Sequence, residues 1–506
     1  MSETLVHFQS MPPMAAELTV EQEILLPDYL PGVFKILSAW LEPDLHWNRI
    51  SENRIQLEGS AKLLVLYAAD QDDQIHLAEH SAELSKTMEL PTKEEEGEMQ
   101  LSWQIQSCRL TAIPSDRRRI GCRGTVVVRI RQSCTRSLPL PEQFEGLECR
   151  RTPLEFCCRS IQGSSRFPVR DTLHLGAGEG TPERVIRACA QGICQDGKVL
   201  AGKAVVKGTI RLEVLWYCKQ GNLHENTFEL SVSQIVDLPG LEPEDCVQWQ
   251  LLVNRCHVRP GEEEDPETLE VQLEVTACAL AVGKRRLELV EDGYSTRYET
   301  HLTTASASVR QMICSIHQTG TFRHTLSLQD AGITKLHCVL ARTEPGALLA
   351  EEATVQAALS LCVVFTDESG VCRSVLSEIP MTLPLEGVEP NPSLQLEPVL
   401  VTRPISYHLS GEGQLELSLD WELQGLVFCS KTVTYLSVAQ VDTDRPISQP
   451  EDLALKLLFP KAGESLWDIA KRCHTTLEGI RQANEGITEP LEPGTMLMVP
   501  IRSGRE

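Results

Sequence analysis

Gly208-Thr-Ile-Arg-Leu-Glu-Val-Leu-Trp216 decides the fold. Val206, Gly208, Ile210, Leu212, Val214 and Trp216 fall on one face and Lys207, Thr209, Arg211 and Glu213 on the other. That period of two is expected of a half-buried antiparallel strand. The pattern returns as Gly59-Ser-Ala-Lys-Leu-Leu-Val-Leu-Tyr67 and as Ala357-Ala-Leu-Ser-Leu-Cys-Val-Val-Phe365, with 149 residues between successive copies. Each copy ends on an aromatic, meets a polar turn (Asp70–Asp73, Lys219–Asn222, Thr366–Gly370) and resumes as a second alternating segment ending near Pro91, Pro239 or Pro384. Each therefore reads as a β-hairpin.

Upstream of each hairpin lies a segment expected to form a short helix: Gly32–Leu41, Pro182–Gln191 and Gly332–Ala341, with Thr181 and Pro182 as N-cap and first-turn proline. Downstream come further alternating segments at Thr125–Ile130, Leu269–Val275 and Leu415–Trp421. The repeat is too long for a solenoid unit of about 20–50 residues. The expected fold is mainly β: three tandem sandwich or barrel-like domains, each with a short helix, over residues 15–150, 165–292 and 308–440. Expected linkers are Ser160–Ser165 and Asp292–Ala307, where small and charged residues cluster. The acidic runs Lys93–Glu98 and Gly261–Asp265 read as solvated loops.

The 506-residue chain has 47 basic and 71 acidic side chains and a net charge of −24. Such a chain repels nucleic-acid phosphates unless it carries a concentrated basic patch, and Arg117-Arg118-Arg119 is too short for one. Met1–Ser10 has neither the basic start nor the apolar stretch of a secretory signal, and no window reaches the roughly 18 apolar residues of a membrane span. A cytoplasmic location follows as the expectation. Eighteen cysteines are too sparse for a disulfide scaffold and read as thiols.

After the acid- and proline-rich stretch Asp442–Asp452 the pattern changes. Ser465 is placed to cap a helix with Leu466, Ile469 and Ala470 on one face, and Thr476 opens a second helix, Leu477–Ala483, closed by Asn484-Glu485-Gly486. Pro493-Gly494 turns the chain, and Met496–Ile501 returns as a strand. Residues 453–502 thus make a βααβ module that resembles the LysM family, matching it at Gly463, Leu466, Trp467, Ile469, Ala470, Leu477, Ile480, Ala483, Asn484, Leu491, Pro493, Gly494, Leu497, Val499 and Pro500.

The resemblance implies binding of N-acetylglucosamine-containing glycan in a groove between two turns. By position these are Gly463, Glu464, Ser465 and Leu466 from the first, with Asn484, Gly486 and Ile487 from the second. Pro460 and the Cys473-His474 pair depart from the family pattern.

The three repeats resemble the SPOCS domain (domain of unknown function 3794) of endospore-forming bacteria. Tandem copies with a C-terminal LysM resemble the SipL and SpoVID type of spore coat morphogenetic protein. That resemblance implies a scaffold in the mother-cell cytoplasm, at the forespore surface, whose LysM docks onto the SpoIVA-like coat-basement ATPase and which meets other coat proteins. The alternative is a peptidoglycan-binding protein of cortex or wall.

Signs of chemistry are few. Gly176–Gly180 lacks phosphate-loop spacing, no H-E-x-x-H or C-x-x-C occurs, and the His76/His80 pair sits in a hairpin segment. Cys157 and Cys158 are adjacent thiols that a regular strand would point to opposite faces, and Cys256-His257 does not make a dyad by adjacency alone. The expectation is no enzyme, no cofactor and no metal, because the repeats and the LysM leave no stretch for a catalytic domain.

Overall fold

The structure is a computed structural model that describes all residues except 1–3, 52, 70–73, 92–97, 142–143, 177, 263–264, 412, 449–453, 462, 492–493 and 502–506. The first polar turn, most of the first acidic run, Glu263-Glu264 and Pro493 lie outside the described residues.

The first unit comprises β1 (Thr4–Ser10), β2 (Met14–Leu25), β3 (Val33–Ser51), β4 (Arg54–Ala69), β5 (Ile75–Glu89), β6 (Glu98–Asp116) and β7 (Arg119–Pro139). β3-β4-β5 form an antiparallel meander, while β1 and β2 follow one edge of β7 and β6 lines the other. The second unit repeats this with β8 (Glu148–His174), β9 (Pro182–Leu200), β10 (Lys203–Cys218), β11 (Leu223–Asp237), β12 (Cys246–Pro260) and β13 (Thr268–Tyr294). Here β9-β10-β11 is the meander, and β13 lies between β8 and β12.

The third unit has β14 (Tyr298–Ser327), β15 (Ile333–Leu349), β16 (Thr354–Asp367), β17 (Cys372–Pro384), β18 (Leu394–Gln395), β19 (Val399–Thr402), β20 (Ser406–Leu409) and β21 (Gln414–Pro446). The place of β6 and β12 is taken by the short pieces β18, β19 and β20, interrupted by Pro398 and Pro404. The last element group is β22 (Leu455–Leu458), α1 (Leu466–Cys473), α2 (Leu477–Ala483) and β23 (Leu497–Pro500), the expected βααβ module.

The mainly-β reading holds, but the three short helices do not. Gly32–Leu41, Pro182–Gln191 and Gly332–Ala341 run into or lie within β3, β9 and β15 and pair with β4, β10 and β16. In β3 the buried residues Val33, Leu37, Leu41 and Leu45 recur every fourth position, which mimics a helical face. Register shifts after Val33 and Ile36 re-aim the strand, so that Val33, Leu41 and Leu45 enter the first unit's own core while Leu37 enters a different one.

The linkers are corrected as well. Ser160–Ser165 lies inside β8, paired with Ala277–Val282, and most of Asp292–Ala307 is strand, with only Ser295–Arg297 between β13 and β14. Residues there lie along paired strand, with Gln162, Ser164 and Glu299 exposed and Tyr294 and Ala307 buried, instead of loosening the chain.

The central strands are buried on both faces toward their ends. Val206, Ile210, Leu212, Val214 and Trp216 fill the second unit's sandwich, as their alternation requires, but Leu215 and Tyr217 on the opposite face are buried too. Leu66, Leu215 and Val364, each 149 residues apart, meet in one shared cluster with Leu37, Ile186 and Leu340. A second junction joins Leu5 and Leu140 to Leu154, Phe156, Leu287 and Leu289 and to Val309, Val433 and Tyr435.

The repeated glycine is explained by close strand crossing. A Cβ on Gly59 would strike the Asp44 carbonyl oxygen, and one on Gly208 that of Ile193. Where the third copy has Ala357, the glycine has moved to the partner strand, as Gly346 against Val355.

Candidate functional site

The C-terminal module is held by its caps. Ser465 Oγ accepts from Asp468 N at 3.2 Å and Asp468 Oδ2 from Ser465 N at 3.1 Å, a reciprocal box at the start of α1. Hydrogen bonds from the Ser465 hydroxyl and backbone hold the Asp468 carboxyl below its ordinary value. Thr476 Oγ1 accepts from Gly479 N at 3.1 Å to start α2. Leu466, Ile469, Ala470, Ile480, Leu497 and Val499 form the small core.

Both candidate turns come together, but most of their polar atoms are already used. Gly463 and Gly486 are exposed with positive φ and open space around them. Glu464 accepts from Lys461 N at 2.9 Å and pairs with Arg472 at 3.1 Å. Leu466 buries its side chain, while its N–H donates at 2.8 Å to Glu489 Oε1, a bond that ties the first turn to the second. Asn484 donates to the Ile480 and Met498 carbonyls, each at 2.7 Å, and accepts from Met498 N at 2.8 Å, clasping α2 to β23. Ile487 is half-buried against the module core. Glu489 escaped sequence reasoning because nothing in its local spacing marks a bridging carboxylate.

The module is seated on the second unit. Trp467 Nε1 donates to Asp292 Oδ2 at 2.9 Å, and Lys471 Nζ reaches Asp292 Oδ1 at 2.6 Å. Tyr294, buried at the end of β13, packs edge-on against Trp467 at 5.1 Å, and its hydroxyl donates to Thr475 O at 2.6 Å. Arg150 lies over the Trp467 ring at 5.9 Å. Burial alone would raise the Asp292 carboxyl, but the bonds from Lys471 and Trp467 outweigh it and leave the group below its ordinary value.

The Cys473-His474 departure belongs to this seat. His474 takes the left-handed C-cap position of α1 at φ 50 and turns its ring toward Ser295 O, while Cys473 packs inward. No sequence pattern links positions 292–295 to 467–475.

Other candidates for chemistry are accounted for structurally. His76 is buried, stacked on Tyr67 at 5.4 Å with Arg184 Nη1 2.7 Å from its Nδ1, whereas His80 is exposed. Burial pushes the Cys194 thiol up to about 12 and the Cys157 thiol up to about 11, so neither is a ready nucleophile at neutral pH. Cys158 falls where the β8–β13 register shifts between Arg159 and Cys157. Both residues border one cavity, while Cys157 packs with Val282 and Phe428 and Cys158 against the cluster of Leu154 and Phe156. Among the described residues no cluster of three or more His, Cys, Asp or Glu could hold a metal, and no helix is long and apolar enough to cross a membrane.

Three interlocked β units thus bear a small βααβ module. Residues 182–259, from β9 through most of β12, match the SipL, SPOCS domain, and residues 461–500 match the LysM domain. The chain thus has the SipL-type architecture of a sporulation protein associated with the spore coat, and both matched families are non-catalytic binding domains. No curated protein and no solved structure matches the chain.

Proposed function

We propose that the chain is a non-catalytic adaptor of spore coat assembly. It acts on the mother-cell side of the forespore and docks through its LysM module onto the SpoIVA-like coat-basement ATPase. The observation that carries this reading is the outer face of the β22–β23 hairpin. Leu455 and Leu457 stand exposed on β22, Met498 opposes Leu457 on β23, and Phe459 and Met496 extend the apolar surface. A contiguous apolar surface of leucine, methionine and one phenylalanine suits a protein partner better than a polyhydroxylated sugar. The seat on Asp292 and Tyr294 occupies a different side of the module, α1 and the turn after it, and so leaves this hairpin face open.

The test uses the full chain carrying Leu457→Glu and Met498→Glu together, with the purified ATPase and insoluble peptidoglycan as parallel baits. The ATPase is expected to retain the wild type and release the variant. Retention of both equally refutes the docking face. The second reading, glycan binding in the groove of Gly463, Glu464, Ser465, Leu466, Asn484, Gly486 and Ile487, is favoured by the open space above Gly463 and Gly486. It predicts retention on peptidoglycan that Ile487→Ala weakens and the hairpin variant does not.

A further inference from the structure

A cavity of about 490 Å³ lies where all three units meet, bordered by Val6 and Phe8 of β1, Arg136 of β7, Cys157 and Cys158 of β8 and Arg310 of β14. That volume falls within the range of small-molecule sites, roughly 300–1,000 Å³. Arg310 is its unusual member. Its guanidinium carbon lies 3.6 Å from the Phe428 ring centroid and 5.1 Å from that of Phe8. Among the described residues it has no hydrogen-bond or ion-pair partner, and its Nε is wholly buried without one. The nearby carboxylate, Glu397, lies 4.0 Å from Arg131, and Arg159 is engaged by Glu242 and Asp245.

A cation withdrawn from water without a counterion is costly, and the two aromatic faces offset only part of that cost. Burial brings the guanidinium down to about 10, so it is still charged at neutral pH. A planar fork of donors on the wall of a half-apolar cavity is the arrangement that recognises a planar oxyanion bidentately.

We propose that this junction cavity binds a small carboxylate with an apolar body, its carboxylate on Arg310 and its body against Val6, Phe8 and Val282. Arg310 is the guanidinium of this wall left without a hydrogen-bond partner, and its planar fork matches the two oxygens of a single carboxylate. Because its walls come from β1, β8, β13 and β14, occupancy also fastens the three units together.

The test is calorimetric titration of the full chain with benzoate, with inorganic phosphate as the comparison anion. Benzoate is expected to bind one to one, and Arg310→Met to weaken it at least about tenfold, the loss of one charge-assisted contact. Because Arg310 is packed between two rings, Val6→Trp serves as a second variant that fills the cavity and leaves the arginine in place. It is expected to abolish binding. Absence of benzoate binding, a preference for phosphate, or benzoate binding unchanged in Val6→Trp would each overturn the proposal.

Discussion

Replacing Asp292 by alanine should loosen the LysM module from the second unit without unfolding either. Two donors of the LysM module end on this carboxylate, beside the local Gly293 N–H: the indole of Trp467, whose residue is 7% exposed, and the ammonium of Lys471, whose side chain is 40% exposed. The indole bond has a charged acceptor in a largely buried setting and is worth about 1.5–3 kcal/mol. The half-exposed ion pair adds about 0.2–1 kcal/mol. Their joint loss, about 2–4 kcal/mol, raises the opening constant of the seat roughly 30- to 1,000-fold.

Exchange of the Trp467 indole proton, followed by NMR, reads that opening directly. The expected result is acceleration by at least about thirtyfold in Asp292→Ala, with the β units melting as in the wild type. Exchange within about threefold of the wild type would refute the assignment of Asp292 as the anchor. The same seat responds to acid. Because the folded carboxyl lies below its ordinary value of 3.8, its contribution is complete above that pH and is lost as the pH falls from there through the folded value. A seat that loosens between pH 5 and 8 would also contradict the account.

Gly208→Ala forces a methyl group against the Ile193 carbonyl and should cost about 1–3 kcal/mol, visible as an earlier melt, whereas Gly202→Ala, in open space though at positive φ, should report backbone strain alone. Leu215→Ala opens the core shared by the three units and should cost about 2–5 kcal/mol; a separate early transition confined to the second unit would show that the units do not melt together. Asp367 accepts hydrogen bonds from the Ser369 hydroxyl and the Val371 N–H, with Arg373 as ion-pair partner, and these hold its carboxyl to about 2. An NMR titration midpoint above 3.5 would contradict that network. Stability tied to Asp367 is present above 3.8 and disappears as the pH falls toward 2.

The alternation around Gly208 was legible because one face of β10 fills a sandwich, and hydrophobic burial on one side of a strand leaves a period of two. The helix misreading of β3, β9 and β15 has the complementary cause: bulges break the strand alternation and send neighbouring apolar residues into two different cores, and in β3 the summed pattern imitates a period near four. The LysM helices were legible because caps, turn glycines and core positions all lie within a few residues of one another. The seat was not, because Asp292 and Trp467 acquire their meaning only from each other across 175 residues. The junction cavity was hidden for the same reason, and so was the bulge at Cys158, which is invisible without its partner strand.

Fusion of the units changes how an adaptor of this kind would gain avidity. Independent modules on loose linkers raise one another's effective concentration by a factor that depends on linker length. Here Leu66, Leu215 and Val364 share one core, and Phe156, Leu289 and Val433 share another, so any partner sites on different units would be held at fixed distances. Fixed spacing gives strong avidity only for partners arrayed at a matching spacing, and none where the geometry forbids simultaneous contact. Such selectivity suits recognition of a surface lattice rather than of free subunits. It also assigns a role to the Asp292 seat, which fixes the direction in which the LysM hairpin face points relative to the three units. The Asp292→Ala variant should therefore keep its affinity for a single soluble partner molecule and lose it selectively for an assembled partner surface. Equal losses on both would mean that the seat contributes to the module's own binding face instead of aiming it.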